Sequence, residues 1–178
     1  MQTFRKGVLS LALLIAVPSA LQGQQSSGSD WAQFRGPNRD GAIGAFSEPK
    51  VWPERLTQKW KVTVGEGHAT PVLVGDRVYI FSREGSNEVM RAVDASTGKV
   101  AWQTRYAAPV TVNPAATEQG PGPKSTPTFA AGRLYTMGMG GIVTAFDAAS
   151  GKILWQKPGG STLPLYGTAT SPLVDRGL

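Results

Sequence analysis

The chain has a single histidine and no cysteine. The lack of cysteine excludes disulfides, thiolate metal sites, cysteine nucleophiles and anchoring through a lipidated N-terminal Cys. His68 lies in Gly65-Glu66-Gly67-His68-Ala69-Thr70, just before an apolar segment. There it is a candidate for a channel-facing residue, although a loop or packing role is the plainer reading. One histidine cannot build a multi-histidine metal site, and no Ser–His–Asp arrangement can be drawn from the sequence. Three other stretches suggest chemistry and then fail on pattern. Asn38-Arg39-Asp40-Gly41 has the start of a calcium loop but neither its regular oxygen ligands nor its distal glutamate, so it reads as a turn. Gly120-Pro121-Gly122-Pro123-Lys124-Ser125 has Pro123 where a phosphate loop needs glycine, and a strand rather than a helix follows. Gly138-Met139-Gly140-Gly141 joins two strand segments, which is the wrong context for dinucleotide binding. No catalytic residue and no metal site is therefore assigned.

What does stand out is repetition. Ala92-Val93-Asp94-Ala95-Ser96-Thr97-Gly98-Lys99-Val100-Ala101-Trp102 and Ala145-Phe146-Asp147-Ala148-Ala149-Ser150-Gly151-Lys152-Ile153-Leu154-Trp155 share the pattern A-x-D-x-x-[ST]-G-K-x-x-W. A Thr-Pro segment precedes each, at Thr70-Pro71 and Thr126-Pro127, and Ser171-Pro172-Leu173-Val174 begins a third copy. The spacing, a little over fifty residues, is that of a propeller, solenoid or array. Within the motif, Asp94 and Asp147 can accept hydrogen bonds from turn N–H groups. Gly98 and Gly151 suit a hairpin position of positive φ. Trp102 and Trp155 open outer strands and can bury an apolar face against a neighbouring unit. Trp60, in Gln58-Lys59-Trp60-Lys61-Val62, looks like a third such outer strand without its turn.

The elements needed to hold these motifs are short strands. The first unit divides into Val72–Val74, Val78–Phe81, Glu88–Val93 and Lys99–Arg105, and the second into Thr126–Ala130, Arg133–Gly138, Ile142–Phe146 and Lys152–Gln156. Turn residues bound each of them. Val78–Phe81 does not alternate, which implies burial on both faces. Four strands per unit with both faces covered describes an all-β fold, a β-propeller of four-stranded antiparallel blades. The 22 glycines and 13 prolines, about a fifth of the 178 residues, fit the many turns this requires.

The chain begins with Arg5 and Lys6, an apolar run over Gly7–Val17, and Pro18-Ser19-Ala20. That is the layout of a secretory signal peptide. The expected organisation is a signal peptide at 1–20, a leader at 21–56, and a partial propeller at 57–178. Its blades fall at about 69–106 and 125–157, and the next starts near 170, so roughly two and a half blades of a seven- or eight-bladed ring are expected. Export implies a periplasmic or extracellular location, with no transmembrane anchor after cleavage and no lipid anchor. Basic residues are scattered singly, so the net charge of +6 gives no nucleic-acid surface. The insertion 107–124 contains Pro109, Pro114, Pro121 and Pro123. With Gly65–Thr70 and Leu163–Gly167 it is expected on one face of the disc, a candidate interaction surface.

The motif over Ala92–Trp102 and Ala145–Trp155 resembles the repeat of the quinoprotein-type (PQQ-like) β-propellers, with their tryptophan-docking motifs. The segment Asp30–Gly41 is similar to the leader of exported bacterial members. The resemblance implies one of two branches. One comprises PQQ-dependent alcohol and sugar dehydrogenases, with the quinone and calcium on the axis and often a vicinal cysteine pair. The other comprises cofactor-free propellers of the outer-membrane-assembly type. This chain has no cysteine pair, and no acidic pair maps onto the dehydrogenase ligands, so it stands closer to the second branch. The expected function is a non-catalytic scaffold or binding module in the bacterial cell envelope, with other envelope proteins as partners and no cofactor. The alternatives are a dehydrogenase fragment using PQQ and calcium, and a carbohydrate-binding propeller.

Overall fold

A computed structural model describes residues 30–44 and 47–175. The expected signal peptide lies outside the described residues. Eight strands form two four-stranded antiparallel sheets, each in simple meander order. The first sheet holds β1 (Val72–Val74), β2 (Arg77–Glu84), β3 (Asn87–Asp94) and β4 (Val100–Ala107). The second holds β5 (Thr128–Ala130), β6 (Arg133–Met137), β7 (Val143–Asp147) and β8 (Ile153–Lys157). Each sequence segment lands on its strand to within two residues at either end, except that β2 runs three residues beyond Phe81 to Glu84. Among the described residues, helix is limited to one 3-10 turn, Pro114–Gln119, inside the insertion. Asn113 caps it by accepting from Ala115 N–H at 3.0 Å, and Pro114 occupies a first-turn position where no N–H is needed.

The core lies where one sheet packs on the other. Val72, Tyr79, Phe81, Met90, Ala92 and Tyr106 from the first sheet meet Leu134, Phe146 and Ala148 from the second. Tyr79 stacks on Phe129, with centroids 6.2 Å apart, and Tyr106 contacts Phe146 at 6.3 Å. The six interior residues of β3 are all buried, whereas most of β4 and β8 is not. Burial is thus greatest in the third strand of each sheet and least in the outer one. This explains why the middle strands read as continuous apolar runs and the outer ones do not.

Two registers repeat. Ala92 pairs with Trp102 and Ala145 with Trp155, and the register shifts directly after each alanine. A small residue opposite the indole leaves room for the ring, and the bulge turns the strand end into the next hairpin. The alanine and tryptophan of the motif are therefore one cross-strand pair.

The leader forms a tie that its sequence does not announce. Trp31 N–H donates to Leu73 O at 2.8 Å and Leu73 N–H to Trp31 O at 3.0 Å, a short antiparallel bridge on the free edge of β1. The next residue reaches the other sheet, with Ala32 O accepting from Phe129 N–H at 2.8 Å. Asp30 accepts from Gly75 N–H at 2.9 Å. Residues 30–32 thus strap the inner strands of both sheets. Asn38–Gly41 is a turn, closed by Gly41 N–H to Arg35 O at 2.9 Å. Two expected strands are absent. The residues around Trp60, and those at 171–175, form no strand, because no strand among the described residues offers either a complete ladder. Ser171 instead lies beside the start of the second sheet, its hydroxyl accepting from Thr126 N–H at 2.9 Å.

Candidate functional site

The hairpins and connections divide between two rims. On one rim lie the motif turns. Asp94 Oδ1 accepts from the N–H and hydroxyl of both Ser96 and Thr97, at 2.6–3.1 Å. Asp147 Oδ1 accepts from Ser150 N–H at 2.8 Å and its hydroxyl at 2.6 Å. These donors hold both carboxyls below the usual carboxylate range, the serine and threonine hydroxyls contributing most. Gly98 (φ +71°) and Gly151 (φ +73°) close the turns, donating back to Asp94 O and Asp147 O at 2.8 Å. Lys99 and Lys152 are exposed, and their backbone carbonyls accept from Asp94 and Asp147 N–H.

Each turn receives an indole. Trp60 Nε1 donates to Ala95 O at 2.9 Å and Trp102 Nε1 to Ala148 O at 3.0 Å. A methyl on Gly98 would meet the Trp60 ring at 2.8 Å, and one on Gly151 the Trp102 ring at 2.4 Å. The glycine is thus required twice, for its φ and for the ring lying on it. Tyr79 OH also donates to Ala148 O at 3.3 Å, and the Thr104 hydroxyl to Gly151 O at 2.7 Å. Trp155 contacts Tyr135 at 6.1 Å and is 41% exposed. The motif residues are thereby placed together as joints between units, with no side-chain cluster suited to catalysis at the turns.

The other rim gathers the long connections. His68 N–H and Ala69 N–H both donate to Pro123 O, at 2.8 and 3.0 Å. The exposed His68 ring bonds Gln119 O at 2.9 Å, so it ties its own connection to the insertion. Lys124 Nζ donates to Tyr166 O at 2.6 Å, and Thr168 N–H to Met139 O at 3.1 Å. Between the insertion and the 163–167 connection lies a cavity of about 290 Å³, lined among others by Val110, Val112, Ala116, Met139, Leu163 and Leu165. Leu165, in its wall, and the neighbouring Tyr166 stand about half exposed.

Beneath this rim lies a polar cluster missed at the sequence level. Arg83 and Glu88 are 3% and 0% exposed and 3.5 Å apart. Arg83 also donates to Pro121 O at 2.7 Å and Ala108 O at 2.9 Å. Glu88 accepts from Tyr106 OH at 2.8 Å and from Met139 N–H at 2.7 Å. Burial pushes the Glu88 carboxyl up from its ordinary value, against the lowering effect of these donors. The same burial, with Glu88 beside it, pushes the Tyr106 hydroxyl up. The available signal was an acid directly before the apolar pair Val89-Met90, five residues after an arginine. Among the described residues no group of three or more His, Cys, Asp or Glu side chains could hold a metal ion. No described helix is long and apolar enough to cross a membrane.

The family described as outer membrane protein assembly factor BamB matches residues 39–178. No curated protein matches the chain significantly. Similar solved structures include BamB from Moraxella catarrhalis (20% identity over 56% of this chain and 26% of that one, TM-score 0.41). They also include a europium-containing methanol dehydrogenase (23% identity, 60% and 18%, TM-score 0.40). A third is the quinohemoprotein alcohol dehydrogenase from Comamonas testosteroni (24% identity, 56% and 14%, TM-score 0.39). The chain spans about a quarter or less of the length of each. Two meander sheets, joined by indoles lying on D-x-x-[ST]-G turns, and a match over most of the sequence place this chain in the PQQ-like β-propeller family of the outer membrane protein assembly factor BamB.

Proposed function

We propose that the chain is a non-catalytic binding module of the bacterial cell envelope, and that its loop-rich rim is the docking face for another envelope protein. The observation behind this reading is the construction of that rim. The 65–70 connection is bonded to the insertion and the insertion to the 163–167 connection; the last two border a cavity of mixed polar and apolar lining, with Leu165 in its wall and Tyr166 exposed next to it in sequence. A cross-braced surface loses little conformational entropy on binding, which favours recognition. The exposed apolar pair is of the kind that anchors interfaces. The buried polar groups, by contrast, are engaged in holding the sheets and loops together. The family name points to a role in assembling outer membrane proteins, and a partner from that process is the natural occupant.

The discriminating experiment is a titration of the full-length protein with PQQ and calcium, followed by the quinone absorption band and by dye reduction. The expected result is no saturable band and no turnover. Stoichiometric quinone binding would overturn the non-catalytic reading in favour of a dehydrogenase.

A further inference from the structure

Glu88 is fully buried and receives three donors: Tyr106 OH from β4, Arg83 Nη2 from β2, and Met139 N–H from the β6–β7 hairpin of the other sheet. Gly138 presses against the same carboxylate, so closely that a methyl there would collide with it. Behind Tyr106, on β6 and β7, stand Thr136 and Thr144, whose hydroxyls lie close to the tyrosine hydroxyl. Thr144 Oγ1 already accepts from Gln156 at 2.9 Å. Thr136 Oγ1 is buried and has no hydrogen-bond partner, a state costly enough to be uncommon in native proteins.

We propose that Glu88, Tyr106 and Thr136 form a two-state proton switch between the sheets, which sets how firmly the first sheet holds Met139 and the rim above it. In the charged state the carboxylate takes all three donors and Thr136 Oγ1 is left over. In the neutral state one proton from solvent sits on Oε2 and is donated to the Tyr106 oxygen. The tyrosine hydroxyl rotates and donates its own proton to Thr136 Oγ1. Oε1, now a carbonyl oxygen, keeps Arg83 and Met139. No covalent bond to tyrosine changes, and Glu88, Tyr106 and Thr136 each have a partner. Arg83 keeps its donations to Pro121 O, Ala108 O and Gly85 O in the neutral state, although its attraction to the Glu88 charge is given up there. The bond from Met139 depends on that charge, because a hydrogen bond to a carboxylate is roughly twice as strong as one to a neutral carbonyl. Met139 lines the rim cavity and accepts from Thr168, so proton uptake loosens that side of the rim.

The consequence for docking rests on the function proposed above. The switch itself does not, and its test needs no partner. Carboxyl carbon and Met139 amide NMR shifts of this chain are followed against pH. The Glu88 carboxyl titrates above the ordinary glutamate value, and the Met139 amide moves with the same midpoint. Thr136→Val removes the acceptor that the neutral state needs and lowers the midpoint. Thr136→Ser retains the wild-type midpoint, and Tyr106→Phe removes a donor to the carboxylate and raises it. Glu88→Gln leaves the Met139 amide without that titration. A wild-type Met139 amide that ignores Glu88, or a midpoint unmoved by Thr136→Val, overturns the switch. Loss of partner docking with an intact titration would instead count against the docking reading alone.

Discussion

Gly151 and Gly85 both adopt positive φ, +73° and +58°, yet they sit in different surroundings. A methyl on Gly85 meets nothing within 4 Å, whereas one on Gly151 would strike Trp102 at 2.4 Å. Gly85→Ala should therefore cost only the backbone term, about 1 kcal/mol. Gly151→Ala should cost that plus displacement of an indole with its hydrogen bond, about 3 kcal/mol in all, as read by urea denaturation. Charge at this scale acts in opposite senses. Asp94 and Asp147 are held below their unfolded value of 3.8, so their stabilisation is full above that pH and is lost as pH falls through the lowered folded values. Glu88 is raised above 4.5, so the folded state binds the extra proton and stability falls as pH rises from 4.5 through the folded value. Asp94→Asn should accordingly flatten the acid limb of a stability-against-pH curve, and Glu88→Gln the limb above 4.5. The aspartates were legible in the sequence because a turn carboxylate bonds residues two and three positions away. Glu88 was not, because its partners come from three other segments, reaching 51 residues along the chain to Met139.

Among the elements, the eight strands could be read almost to the residue because turn chemistry punctuates them. The second repeat also confirms the period of the first. The leader strap could not be read this way. Trp31 and Ala32 act through backbone groups on two sheets, and a backbone bond leaves no mark on residue type. Trp60 was legible as a docking indole, from its likeness to Trp102, but not as an unpaired one, since pairing depends on a neighbouring strand. The strap makes a specific prediction. Trp31→Pro removes the donor to Leu73 O, so the Leu73 and Phe129 amides, both bonded to the strap, should exchange about tenfold faster, the loss of roughly one net hydrogen bond. The Val89 and Phe146 amides, inside the sheets, should keep their protection. Equal loss at all four positions would mean that the leader is an integral strand and not a strap.

At the scale of the molecule, the two rims have different duties. The turn rim repeats from unit to unit: Trp102 on Ala148 joins the first sheet to the second, and Trp60 on Ala95 seats the preceding segment on the first. Repetition made it visible in the sequence. The loop rim does not repeat; it contains the insertion, the cavity and the buried Arg83–Glu88 pair beneath it. Its location on one face followed from strand order, but its cross-bracing depends on side chains meeting across long sequence distances and emerges only in three dimensions. Removing one partner of that buried pair leaves an uncompensated charge worth about 3–5 kcal/mol, so the rim's shape and the stability of the joint are linked. The central claim is that this rim docks a protein partner. It is tested by placing a photo-crosslinking residue in the full-length protein within its native envelope, at Leu165 and Tyr166 on the loop rim and at Ser96 and Ala149 on the turn rim. The account predicts one discrete cross-linked protein from both loop-rim positions and none from the turn rim. The same adduct from all four positions, or from the turn rim alone, would contradict it.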